Sequence, residues 1–335
     1  MSAPAPSVFS QESLSCLEAL GLIKGRPNLE VFAETLLELA RMDPLILAVT
    51  SDSRGSGKLG PFGKALPRQI VEVGIAEQNL VGVSAGLAAT GFKVFATSPA
   101  CFLAARALEQ IKNDVAYSDN AVVLVGISAG VSYGALGSTH HSLHDLAALR
   151  AIHNIEIFCP ADNFEADVIV RHAAGSKKPA YIRFGKAPLH DLPKKGQPML
   201  PTKARVLVEG SGIGFIATGE TVIHAVLAAQ TIRERTGQQP RVLSMPCLRP
   251  LDTTSILETA ARCDVILSVE EHMIHGGLGE ACAAVLAQNG DHQCRLKIIG
   301  IPDEETVTGS QADIFRHYGI SREGLLFAAQ PYLSA

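Results

Sequence analysis

A seven-residue apolar run, AVVLVGI at 121–127, constrains the fold of this chain more than any other segment. No polar residue alternates within it, so it predicts a strand with both faces buried, as in a parallel sheet between layers of helices. Shorter apolar strands are predicted at 45–49, 70–73, 155–158 and 180–184, with helical segments between them. The segment at 105–115 is amphipathic, and Asp162 can cap a helix that runs to residue 172. The sequence therefore predicts an α/β fold.

A second series of strands and helices follows a proline-rich segment. Residues 188–203 contain four prolines and no periodicity, which is typical of a linker. Beyond it, strands are predicted at 214–218, 241–245, 265–270 and 296–301, again separated by helices. We therefore predict two doubly wound α/β domains, in which ligands bind at the carboxyl ends of the strands.

The length also fits two domains, at about 150 residues each. We assign an N-terminal arm to 1–26, a first domain to 27–190, a linker to 191–205 and a second domain to 206–335. In the arm, Leu14, Leu17 and Leu20 form a short helical stripe that would pack on a partner. A disordered tail fits the arm about as well.

The charge balance and apolar content exclude several classes of function. Lys and Arg total 29 against 33 Asp and Glu, a net charge of −4, and no basic run occurs, so neither nucleic acid nor a membrane surface is an expected partner. No apolar stretch approaches the roughly 20 residues of a membrane span, and the N-terminus lacks a signal-peptide pattern. Seven scattered cysteines favour buried thiols in the cytoplasm, and 47% hydrophobic residues favour an oligomer.

Two motifs are too weak to support a function. GIGFIA at 212–217 matches G-x-G-x-x-A but leads into a strand, whereas a dinucleotide-binding loop leads out of one. His140 and His144 are four residues apart, but no third ligand has metal-site spacing. We therefore predict no metal site in this chain.

An acidic residue, Glu77, lies where the strand at 70–73 gives way to a helix predicted at 79–89. A carboxylate at a helix N-terminus stabilises the helix by about 0.3–1 kcal/mol, and Glu77 by itself needs no other role. Segments elsewhere in the chain change this interpretation.

Taken together, these segments resemble the transketolase family of thiamine diphosphate (ThDP) enzymes. The matching segments of the first half are FGKALP (62–67), VGIAEQN (73–79), RALEQI (106–111), GSTHHS (137–142) with Asp145, PAD (160–162) and YIR (181–183). In the second half, EEH (270–272) and GGLGE (276–280) resemble the family's C-terminal domain. The segments occur in the family's order, which chance explains poorly.

The resemblance implies a pyrimidine-binding domain followed by a transketolase C-terminal domain. Family members also have a diphosphate-binding domain with a G-D-G metal motif, and this chain contains no G-D-G. The resemblance therefore implies the C-terminal subunit of a split transketolase. An N-terminal subunit would complete an α2β2 assembly and bring Mg²⁺ or Ca²⁺ with the diphosphate contacts.

The resemblance also assigns residues to the cofactor. In the family a carboxylate hydrogen-bonds N1′ of the aminopyrimidine and favours the imino form, which takes the proton from the thiazolium carbon. Glu77 matches that carboxylate. Phe102 would pack on the pyrimidine ring, and Arg106 and Asp52 would lie near the cofactor. The alternatives are core packing for Phe102, an ion pair or solvated helix face for Arg106, and a turn cap for Asp52.

Substrate contacts follow from the same resemblance. His140 matches the family's Thr-His and would reach the substrate's hydroxyls and assist proton transfer. Arg183 and Ser56 would contact a phosphate group, with a buried structural arginine as the alternative for Arg183. Leu136 stands where transketolases usually have an Asp that reads a donor hydroxyl, and Ser128 also departs from the family. These departures predict a less hydroxylated or differently charged substrate.

The resemblance implies transfer of a two-carbon ketol unit from a ketose or ketose phosphate to an aldehyde. Two ThDP alternatives stay open: a deoxyxylulose-phosphate-synthase-like enzyme, and the β-type subunit of a 2-oxo-acid decarboxylase or dehydrogenase. A non-catalytic paralogue that regulates a full-length transketolase is a third alternative. Glu77 argues against it, because a scaffold needs no carboxylate at the strand end.

Overall fold

A computed structural model describes residues 9–193, 199–290 and 292–333. They form two α/β units in the predicted order, and the mixed fold with largely parallel sheets confirms the predicted class. Part of the predicted arm, 1–8, and part of the predicted linker, 194–198, lie outside the described residues.

In these residues the strands and helices alternate along most of the chain. The strands are β1 (Lys24–Pro27), β2 (Ile46–Thr50), β3 (Ile70–Glu72), β4 (Lys93–Pro99), β5 (Val122–Ile127), β6 (Glu156–Phe158), β7 (Ala180–Phe184), β8 (Pro188–His190), β9 (Arg205–Val208), β10 (Gly212–Ala217), β11 (Arg241–Ser244), β12 (Cys247–Arg249), β13 (Cys263–Met273) and β14 (Arg295–Ile301). The helices are α1 (Gln11–Ala19), α2 (Asn28–Met42), α3 (Gly60–Ala65), α4 (Glu77–Ala89), α5 (Ala100–Arg106), α6 (Leu108–Gln110), α7 (Asp145–Arg150), α8 (Asn163–Gly175), α9 (Val222–Thr236), α10 (Thr253–Ala260), α11 (Leu278–Gln288), α12 (Gln311–His317) and α13 (Arg322–Ala329).

The first sheet has the strand order β12-β6-β7-β5-β4-β2-β3. Strand β5, the apolar run, pairs in parallel with β4 and β7 and is buried along its whole length, which confirms the prediction for it. Helices α2 and α8 cover one face, and α4, α5 and α7 cover the other. Because parallel strands end at the same edge, the loops after β2, β3, β4, β5 and β7 share one side of the sheet.

The second sheet has the order β14-β13-β10-β11-β9, parallel except for β9. Helix α9 packs on one face of this sheet, and α10 and α11 pack on the other. The buried side chains of α10 and α11 form one continuous core with apolar side chains of the first unit. Strand β12 of the second half leaves its own unit and extends the first sheet, antiparallel to β6. The second half of the chain therefore contributes a strand to the first sheet in addition to packing against the first unit.

The described part of the arm, from Phe9 onward, packs on this chain. Leu17 of α1 is 1% exposed in the core formed around α9, and Arg322 forms an ion pair with Glu12. Strand β1 then pairs antiparallel with β8. The leucine stripe is therefore covered by the second unit of the same chain, because that unit offers an apolar helix face.

The amphipathic segment predicted at 105–115 is not a single helix. Helix α5 ends at Arg106, α6 follows, and residues Ile111–Tyr117 form the wider turns of a π-helix. Interruptions of this kind occur often beside functional sites. By contrast, the predicted cap of α8 is confirmed, since the Asp162 side chain accepts a hydrogen bond from the Glu165 amide at 2.8 Å.

The cysteine side chains agree with the prediction of buried thiols. All seven are free, and all but Cys294 are buried. No helix in the described ranges is both long enough and apolar enough to cross a membrane.

Candidate active site

Glu77 is the first residue of α4, directly after the loop that follows β3. Gly74 turns that loop with φ +75°, a conformation that favours glycine, and the Ala76 amide donates to the Gly74 carbonyl at 2.8 Å. The Glu77 carboxylate is 4% exposed. A buried carboxylate is unstable without a donor or a counter-charge, so its partner defines the site.

That partner is Arg106, which ends α5. Its Nη1 lies 3.0 Å from both carboxylate oxygens of Glu77. The guanidinium also lies over the ring of Phe102, 4.1 Å from the ring centroid, a cation–π geometry. Arg106 thus contacts both Glu77 and Phe102, the other two residues that the resemblance assigns to this part of the cofactor.

His140 extends this group. Its ring lies edge-on to Phe102 with centroids 5.3 Å apart, and edge-on to Tyr133 at 5.4 Å. Nδ1 lies 2.9 Å from Thr139 Oγ1. In the part of the chain that the structure describes, Nε2 has no hydrogen-bond partner, so this nitrogen is available for a substrate group.

Sequence reasoning missed Tyr133 and Lys186. The Lys186 Nζ lies 4.4 Å from the ring centroid of Tyr133, which brings a cation to the same cluster. Tyr133 could have been found, because it precedes His140 in one glycine-rich loop after β5. Lys186, two residues beyond β7, carries no pattern that marks it.

Asp52 and Ser56 lie on the loop after β2, at the same edge of the sheet. Asp52 has φ +52°, a region that aspartate tolerates, and its amide donates to Glu72 Oε1 at 2.6 Å. Ser56 Oγ donates to the Ser53 carbonyl at 3.2 Å. Among the described side chains, no hydrogen bond or ion pair joins Asp52 or Ser56 to Glu77, so their assigned roles stay predictions.

Leu136 lies in a single turn, Gly134–Leu136, four residues before His140. Its side chain is 55% exposed. The structure thus leaves an apolar group uncovered on the loop that carries His140, at the position where the resemblance leads one to expect a carboxylate.

Arg183 is buried behind the cluster. Its Nε lies 2.9 Å from Asp145 Oδ2, and Nη2 donates to the carbonyls of Ser142 and Glu271 at 2.8 Å each. Burial opposes ionisation of Asp145, but the Arg183 charge, His272 and the hydrogen bond from Tyr181 together outweigh it and lower the pKa of that carboxyl. Arg183 therefore ties three elements together in this structure, and its contact with a phosphate stays a prediction.

No group of three or more His, Cys, Asp or Glu side chains within 9–193, 199–290 and 292–333 could hold a metal ion. Of the histidines considered in the sequence, His140 and His141 have different hydrogen-bond partners. For example, His141 is buried and its Nε2 lies 2.9 Å from the Gly134 carbonyl oxygen.

Family models match most of the chain. "Transketolase, pyrimidine binding domain" matches residues 26–190, and "Transketolase, C-terminal domain" matches residues 202–325.

Among individual proteins, the chain is similar to one subunit of the "Apulose-4-phosphate transketolase" of Phocaeicola vulgatus, with 46% identity over 303 residues, 90% of this chain and 96% of the relative. It is 32% identical to "1-deoxy-D-xylulose-5-phosphate synthase 1" of Geobacter sulfurreducens over 91% of this chain but 48% of that protein. A solved structure, "Split gene transketolase, inactive beta4 tetramer", superposes with a TM-score of 0.83 at 32% identity, covering 92% of this chain and 99% of the other.

Proposed function

The chain belongs to the transketolase family of ThDP-dependent enzymes, and on this premise we propose that it is one subunit of a split transketolase. It would transfer a two-carbon ketol unit from a ketose phosphate to an aldehyde, together with an N-terminal subunit that carries the diphosphate-binding domain. The observation that carries the proposal is the contiguous group formed by Glu77, Arg106, Phe102 and His140.

The side chains fit the aminopyrimidine of ThDP. Phe102 offers an aromatic ring, and the buried Glu77 carboxylate, whose two oxygens both contact Arg106 Nη1, keeps further lone pairs for a ring nitrogen. When bound, ThDP supplies a carbon nucleophile for cleaving a carbon–carbon bond next to a carbonyl. Mg²⁺ or Ca²⁺ would be held by the partner subunit.

Each residue of the group would then have a defined task. Glu77 would hold a proton between its carboxylate and the pyrimidine nitrogen, and Arg106 would fix the carboxylate's orientation and keep part of its charge compensated. His140 would exchange a proton with a substrate hydroxyl through Nε2, because Nδ1 is already engaged by Thr139. Tyr133 and Phe102 would keep the imidazole plane in place.

Leu136 guides the choice of donor. An exposed apolar side chain on the loop that carries His140 cannot bond a donor hydroxyl, so a donor with a different hydroxyl pattern from the common pentose phosphates is favoured. The relative from Phocaeicola vulgatus is named for apulose 4-phosphate. We therefore propose apulose 4-phosphate as the first donor to test.

The test is turnover by this chain assembled with a G-D-G-containing N-terminal subunit, ThDP and Mg²⁺. Apulose 4-phosphate, xylulose 5-phosphate and pyruvate would be offered separately with a common aldehyde acceptor. We expect a ketol-transfer product without CO₂ from a sugar phosphate. No ketol transfer with any sugar phosphate would overturn the proposal.

The similarity to 1-deoxy-D-xylulose-5-phosphate synthase favours a second candidate. In that case pyruvate would be consumed with release of CO₂. The pyruvate arm separates the two candidates, since only decarboxylation releases CO₂.

A further inference from the structure

The EEH segment at the end of β13 has no role in the proposed function. Its two carboxylates, Glu270 and Glu271, have different partners. Glu270 stays in its own unit and accepts hydrogen bonds from the amides of Leu278 and Gly279 at 2.7 and 2.8 Å, at the start of α11. Glu271 instead crosses to the first unit.

Glu271 Oε1 accepts a hydrogen bond from the Val131 amide at 2.8 Å, between residues 140 positions apart. Gly130, at φ +60°, lies against the Glu271 carboxyl group so closely that a Cβ at this position would overlap it. The Gly130 carbonyl accepts from the Ser142 amide at 2.7 Å, which closes the segment 130–142 into a loop. This catalytic loop carries Tyr133, Leu136 and His140, and Glu271 binds at its base.

Gln311 strengthens this contact from the second unit. Its Nε2 donates to Glu271 Oε1 at 2.9 Å and to Glu220 Oε2 at 2.8 Å. Both carboxyl groups are buried. Burial raises the pKa of both carboxyl groups, that of Glu220 to about 8 and that of Glu271 to about 7, and the charge of Glu271 adds to the rise at Glu220. Glu220 is therefore the carboxyl group of the pair that holds its proton more strongly.

The second unit also supports the far side of the catalytic loop. A Cβ at Gly134 would lie 2.6 Å from the Gly309 carbonyl oxygen, and one at Gly137 would lie 3.3 Å from Thr308 Oγ1. The turn that holds Leu136 thus rests on residues 308 and 309. The second unit contacts the catalytic loop at both its base and its turn.

We propose that Glu271 is a positioning residue that holds the catalytic loop, so that the second unit sets the place of His140. Glu271 Oε1 fixes the Val131 amide, Gln311 fixes the Glu271 side chain, and residues 308 and 309 support the turn. The kinetic part of this proposal rests on the proposed function, whereas its structural part does not.

The structural test is amide hydrogen exchange of the assembled complex with ThDP and Mg²⁺. In Glu271→Ala, exchange in peptides covering 129–142 should rise by about tenfold or more, because the Val131 amide loses its acceptor. Glu271→Gln keeps an acceptor oxygen and should restore most of the protection.

Glu270→Ala is the matched control, since it removes a buried carboxylate and two hydrogen bonds from the same strand. It should raise exchange around Leu278 and leave 129–142 unchanged. Unchanged exchange at 129–142 in Glu271→Ala, or an equal rise there in Glu270→Ala, would overturn the proposal.

Should Glu271→Ala not fold, Gln311→Ala replaces it, because Gln311 is only half-buried. This variant should raise exchange at 129–142 in the same direction by a smaller factor, and no rise would overturn the proposal. On the kinetic side, Glu271→Ala should lower kcat/KM by about 10²-fold, as misplaced catalytic groups do, while ThDP affinity stays within about twofold. If no donor is turned over by the wild type, the proposed function fails and the exchange data still decide the positioning role.

Discussion

At the scale of single residues, Glu77 and Glu220 show two ways in which this chain keeps a buried carboxyl group. Glu77 has a cation, Arg106, whose own side chain is 49% exposed and which also covers Phe102. Glu220 has the Gln311 amide at one oxygen and no described partner at Oε1. The first arrangement gives the carboxylate a counter-charge, and the second, by burial, raises the pKa of Glu220 and favours the protonated acid.

Replacing Glu77 by Gln should lower kcat of the assembled enzyme by about 10²–10⁴-fold, because an amide cannot share a proton with the pyrimidine nitrogen. Steady-state kinetics with the donor proposed above measures this, and size-exclusion chromatography checks that assembly is retained. The control is Glu258→Gln, which replaces an exposed carboxylate on α10. A Glu77→Gln enzyme within about threefold of the wild type would contradict the assigned role.

The raised pKa of Glu220 predicts how the free energy of unfolding depends on pH. Its pKa is raised from 4.5 to about 8 in the folded chain, so between these values the folded state holds a proton that the unfolded state has lost. The free energy of unfolding should therefore fall as pH rises through this window, by up to about 1.4 kcal/mol per unit of pKa shift.

In Glu220→Gln this contribution is absent, and the fall in Tm between pH 5.5 and 8.5 should be smaller than in the wild type. Thermal melts of both proteins across that range measure it, with Glu258→Gln as the control. Parallel curves of Tm against pH for the wild type and Glu220→Gln would show that Glu220 does not retain its proton.

At the scale of elements, the segment from α5 to Tyr117 differs most from its prediction. Apolar spacing predicted one helix at 105–115, but the backbone changes geometry after Arg106 and again at Ile111. The spacing of apolar residues cannot reveal such a change in helix geometry, because the apolar side chains before and after it face the same core. As a result Arg106 stands at a helix end, from which it reaches Glu77.

Helix α1 makes a stability prediction. Leu17 is 1% exposed against the core around α9, so Leu17→Ala should lower the free energy of unfolding by about 2–5 kcal/mol. Urea denaturation followed by circular dichroism measures this. Leu20→Ala, at a partly buried position of the same stripe, should cost less. Equal stability of Leu17→Ala and the wild type would mean that the helix does not dock as described.

At the scale of the whole molecule, large apolar side chains are exposed beside the candidate site. Ile75, two residues before Glu77, is 74% exposed. Leu136, on the loop that carries His140, is 55% exposed. Exposed apolar groups on the loops that carry a site mark a surface that a partner covers.

Ile75→Asp should therefore weaken assembly with the N-terminal subunit by at least about tenfold in Kd, because a charge would be buried without a partner. Analytical ultracentrifugation of the mixed subunits measures this. Ile23→Asp is a matched control, since Ile23 is also 74% exposed but lies in the arm. Equal affinities of the two variants would place the partner elsewhere.

The sequence by itself determined the fold class, the buried strand β5, the Asp162 cap and the segments that identify the family. These features depend on local backbone preference and on which face of an element is apolar, and both follow from the spacing of residue types along the chain. Only the tertiary structure brought Glu77 to Arg106, placed Arg183 in an ion pair with Asp145 and joined Glu271 to Val131. Partners 29 to 140 positions apart meet because layers pack and β13 ends against the first unit, and no spacing along the chain specifies that.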